Sequence, residues 1–324
     1  MPYCKNCGAK LEETAKFCPS CGTSVAGYIA EGRVIEKRRP INFFGFFLIA
    51  VILAAVLYGF LSFLPIRPVD VHENRNVPFQ IGVQAVVVDL TVDVGSVNIT
   101  FSDLANDAVR FSLSVSGYGN LLSNQLYTLT FDQATNGNVL TVTSEVETSI
   151  FHGWWNLNFL ETECDLVIDQ FLNASITVRT GTGGISFETR SGVVLNSVRL
   201  ETATEAQSLS WQNVIAERDI TVGIGSVTGA VSIDIKQDER LRNRVELRVE
   251  VTTGAINLAL DLSGDIASEV TSSTTTGSIN VQGSNGFSGS STQLQSNNYP
   301  SDSQFDITLQ TTTGGINIDA SFSP

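Results

Sequence analysis

Four of the five cysteines have the spacing of a metal site. They form two Cys-x2-Cys pairs separated by ten residues: Cys4, Cys7, Cys18 and Cys21. A tetrahedral zinc ion needs four soft ligands, and two such turns supply two thiolates each. Gly8 and Gly22 follow the pairs and suit a tight turn, because glycine tolerates positive φ. The spacing predicts one structural zinc ion whose four coordination positions are all taken by cysteine.

Disulfides and a redox-active pair are the alternatives for these cysteines. The paired spacing, the small size of the segment and the reducing cytoplasm in which we place it favour zinc. Residues 2–24 resemble the short zinc-ribbon modules at the N-termini of many archaeal and bacterial membrane proteins. A segment this small cannot build a core, so we expect the metal to hold it folded. It could bind a cytosolic protein or nucleic acid, and its few basic residues favour a protein or a plain structural cap.

The charged side chains are unevenly distributed along the chain. Its 324 residues carry a formal net charge of −14. Residues 1–40 contain seven basic and four acidic side chains, a net charge of +3, so the rest of the chain carries −17. An acidic body argues against wrapping nucleic acid, because phosphate binding needs a basic face. A basic head before an acidic body suggests that a membrane lies between them.

Residues 41–64 predict a transmembrane helix. This segment contains no charge and would span about 36 Å as a helix, enough for a bilayer core of about 30 Å. The cluster Lys37-Arg38-Arg39 precedes the segment, and the positive-inside rule then places the N-terminus in the cytoplasm. The sequence following Pro65 is expected outside the cell membrane. A buried core helix and a cleaved signal peptide fit the length and position less well.

The remainder of the chain shows a repeating β pattern. A Gly-x-apolar-polar-apolar motif recurs, most often after threonine, at Gly95, Gly183, Gly229, Gly254, Gly277 and Gly314. A period of about 23 residues with short strands predicts a solenoid in which each coil stacks on the next along the sequence. Gly254 to Gly277 is then one coil, and the longer step from Gly95 to Gly183 contains about four.

Alternation within the motif predicts which side chains form the core. The inward pairs are Val97/Ile99, Ile185/Phe187, Val231/Ile233, Ile256/Leu258, Ile279/Val281 and Ile316/Ile318. The outward row is Asn98, Ser186, Ser232, Asn257, Asn280 and Asn317. A two-sheet sandwich is the alternative fold, because Asn136-Gly137 lies between two strand-like runs and predicts an antiparallel hairpin.

The β region resembles the putative-adhesin and toast-rack β-solenoid families, which include LiaF-like envelope-stress proteins. The matching features are residues 86–101, residues 165–168 leading into residues 174–187, and the recurring glycine corners. This resemblance covers about residues 80–322. It implies a right-handed β-solenoid at a cell surface, with a role in envelope sensing or scaffolding, and it supplies no catalytic residues.

Motifs for catalysis or phosphate binding are missing from the sequence. It contains no G-x-G-x-x-G, Walker loop, calcium nonapeptide or G-x-S-x-G. The charged run at residues 234–240 is typical of a solvated strand end, although a polysaccharide-acting enzyme on the solenoid face stays an alternative. Cys164 lies in a predicted strand, where we expect a small buried apolar side chain.

Two further features could make contacts outside the cell. The loop at residues 151–159 is unusually aromatic and is either a ligand contact or a cap: Phe151, Trp154, Trp155 and Phe159. Asn98 and Asn173 begin Asn-x-Ser/Thr sequons and are candidate glycosylation sites.

These observations predict a mainly β, single-pass membrane protein. We expect a non-enzymatic surface scaffold, adhesin or sensor whose ribbon binds a cytosolic partner and whose solenoid meets a protein or glycan. Nucleic-acid or regulator binding through the ribbon is the other alternative. The predicted segments are a zinc ribbon at 1–24, a basic tether at 25–40, a transmembrane helix at 41–64, a linker at 65–79 and an extracytoplasmic β-solenoid at 80–324 with a mobile insertion at 283–304.

Overall fold

The computed structural model describes residues 3–25, 43–63, 66–120, 126–148, 159–239 and 241–324. The chain divides into two compact units, Met1–Phe63 and Leu64–Pro324. The first contains the cysteine-rich segment and one helix, α1, at Phe43–Phe63. No helix capable of spanning a membrane is found among the described residues. The transmembrane prediction for residues 41–64 is therefore not supported by the structure.

The second unit is built from β-strands. They are β1 Ile66–Pro78, β2 Ala85–Val94, β3 Ser96–Ser102, β4 Asp107–Asn120, β5 Tyr127–Asn136, β6 Val139–Thr148, β7 Phe159–Asp169, β8 Asn173–Thr182, β9 Ile185–Glu188, β10 Leu195–Thr204, β11 Gln207–Gln212, β12 Ile220–Thr228, β13 Val231–Gln237, β14 Val245–Thr253, β15 Ile256–Ser263, β16 Ala267–Thr276, β17 Ile279–Asn285, β18 Phe287–Ser290, β19 Gln293–Ser296, β20 Gln304–Thr313 and β21 Ile316–Ser323.

These strands form two sheets. Sheet 1 has the order β1-β4-β7-β3-β9-β11-β13-β15-β21-β17, and sheet 2 has the order β18-β19-β16-β20-β14-β12-β10-β8-β2-β6-β5. Each coil contributes one strand to sheet 2 and the next strand to sheet 1, and neighbouring coils pair in parallel, as β12 with β14 and β13 with β15. This solenoid-like β fold confirms the predicted mainly β class. The hairpin predicted at Asn136-Gly137 is also confirmed, because β5 and β6 pair antiparallel.

The core lies between the two sheets. The inward side chains predicted from the motif are 0–2% exposed in five coils, while Ile279 and Val281 in β17 are only partly buried. Rings from the two sheets meet inside, as where Trp211 of β11 contacts Phe305 of β20 at a centroid distance of 5.8 Å. Burial of each large apolar side chain stabilises the fold by about 1.5–3 kcal/mol, so the apolar alternation holds the two sheets together.

The corner between the sheets is a column of closely stacked backbone. A Cβ built on Gly254 would lie 1.9 Å from the carbonyl oxygen of Gly229, and one built on Gly314 would lie 1.9 Å from that of Gly254. Threonine hydroxyls also donate hydrogen bonds to the carbonyls of the corner glycines. Thr180 Oγ1 donates to the Gly183 carbonyl at 2.8 Å. The recurring Thr-Gly motif thus marks a place where coils approach too closely for a side chain.

The coils do not stack in sequence order, which corrects the predicted arrangement. The last coil, β20–β21, lies between β14–β15 and β16–β17. At the other end, the first coil, β2–β3, lies between β8–β9 and β6–β7. Gly95 and Gly183 therefore belong to neighbouring coils, because the chain between them leaves the stack and returns beside its starting point. Chain reversal through antiparallel strands makes this possible, as where β4 pairs with β7.

Two predicted segment assignments also differ from the structure. Residues 65–79, predicted as a linker, contain β1, which pairs antiparallel with β4. Its Val77 is fully buried, so this segment is part of the β unit. Residues 283–304, predicted as a mobile insertion, contain the hairpin β18–β19, which pairs with β16. Phe287 and Leu294 are 8% and 4% exposed, so apolar burial holds this hairpin against the stack.

A carboxylate fixes the hairpin, and we expect its protonation to loosen it. Glu269 of β16 accepts hydrogen bonds from Gln293 and Gln295, both at 2.7 Å, and from Tyr299. The amide of Gln293 above all holds the pKa of Glu269 below its usual value of 4.5. This stabilisation is therefore present above pH 4.5 and is lost as the pH falls further.

Thermal unfolding across pH would measure the effect. We expect Glu269→Gln to lower stability at pH 7 by up to about 1 kcal/mol, since the site is partly exposed. The difference between wild type and variant should be smaller at pH 3 than at pH 7. An equal difference at both pH values would show that the charge of Glu269 does not matter.

Candidate metal centre and contact surfaces

Two similar turns position the four cysteines. In the first, the amide of Gly8 donates to the carbonyl of Cys4 at 2.8 Å, and in the second, Gly22 donates to Cys18 at the same distance. Gly8 and Gly22 have φ of 70° and 69°, a region that disfavours other residues. The two turns repeat one local structure, which explains why a glycine follows each cysteine pair.

The sulfur atoms lie where a tetrahedral ion would hold them. All four Sγ atoms lie within 4.8 Å of one another. Cys4 Sγ is 3.6 Å from Cys21 Sγ, and Cys7 Sγ is 3.6 Å from Cys18 Sγ. Zinc–sulfur bonds of about 2.3 Å in a tetrahedron require sulfur atoms about 3.8 Å apart. The four cysteines suit one zinc ion, and the prediction of a zinc site is confirmed.

The protons on these thiols compete with the metal. The Thr23 hydroxyl and amide stabilise the Cys21 thiolate and lower its pKa to about 6. For Cys7, the Ala9 amide lowers the pKa, but Cys21 and the other thiols outweigh it and raise the value to about 12. Four thiolates cannot share this small volume without a cation, so zinc binding must release protons and weaken in acid.

The ribbon has almost no core besides its cysteines. Its buried cluster consists of Cys4, Leu11 and Cys18, with Ala9 and Val25 packed against it. One buried leucine supplies about 1.5–3 kcal/mol, too little to order a segment of this length. The metal must therefore supply most of the folding free energy, and its four protein ligands leave no open position for catalysis.

A groove crosses the outer part of sheet 2 just before the glycine corner, and we call it the corner groove. It has a volume of about 520 Å³ and runs over five adjacent strands, β10, β12, β14, β20 and β16. Its lining residues are Glu201, Thr202, Gly225, Ser226, Val227, Glu250, Val251, Thr252, Ser273, Thr274, Thr275, Gln310, Thr311 and Thr312. Thr202, Ser226 and Thr311 are buried, so the exposed hydroxyls of the groove come from Thr252, Ser273, Thr275 and Thr312.

The two carboxylates of the corner groove are both neutralised by arginine. Glu201 contacts Arg199 at 2.6 Å, and Glu250 contacts Arg248 at 2.6 Å. Gly225 of β12 lies between Glu201 and Glu250 in the sheet. Because glycine has no side chain, it leaves a gap between the two carboxylates. Sequence reasoning missed this groove. Threonines from the pairs before the corner glycines line the groove, but in the sequence they indicated only an extended backbone.

The predicted extracytoplasmic site residues fall in different places. Asn98 lies in β3 and donates to Glu163 and Asp165 at 3.1 and 3.0 Å. Asn173 begins β8 and donates to Glu217 at 3.1 Å. Both amide nitrogens therefore already have carboxylate partners, and glycosylation of either stays a prediction.

The aromatic loop lies almost wholly outside the described residues. Phe151, Trp154 and Trp155 fall in the undescribed stretch, and Phe159 is described only as the first backbone position of β7. Its contact role stays a prediction.

The remaining reactive candidates have structural surroundings. In the charged run, Asp238 accepts from Asn213 at 2.6 Å and Glu239 accepts from Ser191 at 3.1 Å. Cys164 is fully buried, and desolvation raises its pKa to about 12. Its thiol is therefore protonated and inert at neutral pH, as expected for a small core side chain.

Comparison with known proteins supports both units in outline. Residues 3–25 match the zinc-ribbon domain family. No curated protein matches the chain. A crystal structure described as a putative cell adhesion protein from Clostridium sporogenes is 16% identical, with a TM-score of 0.51, covering 78% of this chain and 100% of that one. At this level of identity the similarity shows a shared fold only.

A second structure is described as a putative adhesin from Bacteroides fragilis. It is 15% identical with a TM-score of 0.34, and the match covers 77% of this chain and 97% of that one.

Proposed function

We propose that this chain is a non-enzymatic, single-pass envelope protein that acts as a surface scaffold, adhesin or sensor. Its zinc ribbon would lie in the cytoplasm and its β unit outside the cell membrane. The observation that carries the proposal is the order of parts along the chain: a zinc ribbon, an uncharged segment at residues 41–64, and a β unit with the fold of a putative cell adhesion protein. We also propose that the coils follow a right-handed course.

Membrane anchoring is supported by sequence rather than by the described residues, which contain no spanning helix. Residues 41–64 carry no charge and follow Lys37-Arg38-Arg39. The described side chains of α1 are apolar and exposed, with Phe47 at 67% and Leu53 at 63%. A run of exposed apolar side chains needs lipid or a partner to cover it, and the adjacent basic cluster favours lipid with the N-terminus inside.

Each unit offers one contact surface for this function. The corner groove supplies hydroxyl and carboxylate groups for an extracytoplasmic protein or glycan. In the ribbon, Tyr3 and Phe17 occupy equivalent positions before the two cysteine pairs and are 64% and 62% exposed. Exposed aromatic side chains are common anchors in protein interfaces, and the few basic residues of the ribbon favour a cytosolic protein partner over nucleic acid.

Tagging both ends of the full-length chain and treating intact cells with protease tests this proposal. We expect loss of the C-terminal tag and retention of the N-terminal tag, with both lost after the cells are opened. Replacing Lys37, Arg38 and Arg39 with alanine should mix the two orientations, whereas replacing Arg67 and Arg75 should not. Retention of both tags in intact cells, or loss of only the N-terminal tag, would contradict the proposal.

A further inference from the structure

One end of the two-sheet stack is covered on one side only. In sheet 2, the hairpin β18–β19 covers β16, and Ser272 of β16 donates to the carbonyl of Ser291 at 2.6 Å. In sheet 1, β17 is the terminal strand and pairs with β21 alone among the described strands. The β17 edge therefore lacks the cover that its neighbour in the same coil has.

The apolar side chains of β17 are incompletely buried for the same reason. Ile279 and Val281 pair in register with Ile316 and Ile318 of β21. The two β21 residues are fully buried, whereas Ile279 and Val281 are only partly buried. Both coils carry the same Gly-x-Ile-Asn-apolar pattern, so the difference arises because no further coil among the described residues covers β17.

Some backbone N–H and C=O groups at this edge point away from the neighbouring strand. The Ser278 carbonyl accepts from the amide of Ile316 at 2.9 Å. In a parallel ladder alternate residues point their backbone groups to opposite sides, so those of Ile279 face away from β21. The register shifts between Val281 and Gly283, which confines regular pairing to the first part of the strand.

This edge also lacks the charged side chains and prolines that protect many edge strands. Residues 270–301 contain no charged side chain, although the whole chain has a net charge of −14. The opposite terminal strand of sheet 1, β1, carries Pro68, Asp70, Glu73 and Arg75. Charges and proline on an edge strand oppose pairing with other chains. Of the two terminal strands of sheet 1, β17 is the one without charge or proline to oppose pairing.

We propose that β17 pairs antiparallel with β17 of a second copy of this chain, around a two-fold axis. A second copy fits because the like charges that would repel two acidic chains are absent from both sides of this edge. Two-fold symmetry makes the patch self-complementary, so Ile279 and Val281 of each copy are covered by the other. The pairing is independent of where the protein is located.

The mass of the full-length, zinc-loaded chain in solution or detergent tests the pairing. We expect light scattering to give twice the 34.9 kDa of one chain at high protein concentration, falling to one chain on dilution. Ile279→Lys places like charges across the axis and should raise the dissociation constant about tenfold or more. Ser232→Lys adds the same charge at an exposed position inside sheet 1 and should leave the dimer intact.

A measurement on the unmodified protein removes the dependence on the variant's folding. Amide hydrogen exchange of residues 277–281 should slow at the concentration that favours the dimer and quicken on dilution. A single-chain mass at every concentration would overturn the proposal. So would a dimer that Ile279→Lys leaves unchanged, or exchange at residues 277–281 that does not depend on concentration.

Discussion

Replacing Cys18 with serine should release the zinc ion and unfold residues 3–25 while the β unit stays folded. Cys18 is 1% exposed and is one of three residues in the ribbon's buried cluster. Its loss leaves three ligands and removes a third of that cluster. Zinc binding in small zinc-dependent folds supplies about 10–16 kcal/mol at pH 7, far more than the apolar contacts here provide. The measurements are zinc per chain by atomic emission and amide exchange of the ribbon.

Cys164→Ala is the matched control, because it removes the one cysteine that lies in the β unit. We expect it to keep one zinc ion per chain and a protected ribbon, whereas Cys18→Ser loses both. A chelator should reproduce the Cys18→Ser result in the wild-type chain. If the ribbon keeps its amide protection after the metal is removed, apolar packing rather than zinc holds it folded.

The metal site was predictable because its geometry is local. Each Cys-x2-Cys-Gly turn closes on itself through the bond from Gly8 to Cys4 or from Gly22 to Cys18, so spacing determines the two sulfur positions within each pair. The two pairs then meet because one tetrahedral ion needs four ligands. The burial of the repeating motif was predictable for a similar reason. Alternation decides which side of a strand faces the core, and it placed Ile256 and Leu258 inside without knowledge of their neighbours.

The order of the coils was not predictable from the repeat. Every coil presents the same glycine corner and the same apolar pair, so Gly254 could pack equally well on the corner at Gly277 or on the corner at Gly314. The structure places Gly314 on Gly254. Contacts at the ends of the stack decide between the two arrangements. The β18–β19 hairpin covers β16 and makes that coil terminal. A periodic sequence specifies what each coil buries but not which coil it meets.

The assignment of β1 failed for a different reason. Its sequence, IRPVDVHENRNVP, contains two prolines and several charges, which favour a linker over a central strand. An edge strand tolerates both, because one side of it needs no partner. Val69 and Val77 are nonetheless 7% and 0% exposed, so two buried valines and pairing with β4 suffice to order the segment. The signal was too weak to separate an edge strand from a linker.

Substituting alanine for Gly254 should destabilise the β unit by about 3 kcal/mol or more. The new Cβ would lie 1.9 Å from the Gly229 carbonyl oxygen, and φ of +150° is itself unfavourable for alanine. The coils cannot easily move apart to relieve this clash, since the amide of Gly254 donates to the carbonyl of Thr313 and that of Gly229 donates to the carbonyl of Thr253. Denaturant unfolding of the β unit measures the loss of free energy.

Gly223→Ala is the matched control, because it makes the same chemical change in β12 at a site with no atom within 4 Å of the new Cβ. Alanine is no worse than glycine in an extended strand, so we expect a change within about 0.5 kcal/mol. The contrast isolates contact between coils from the general cost of losing a glycine. Equal stability of the two variants would mean that the coils can separate at the corner without loss, and the recurring glycine would then need another explanation than close stacking.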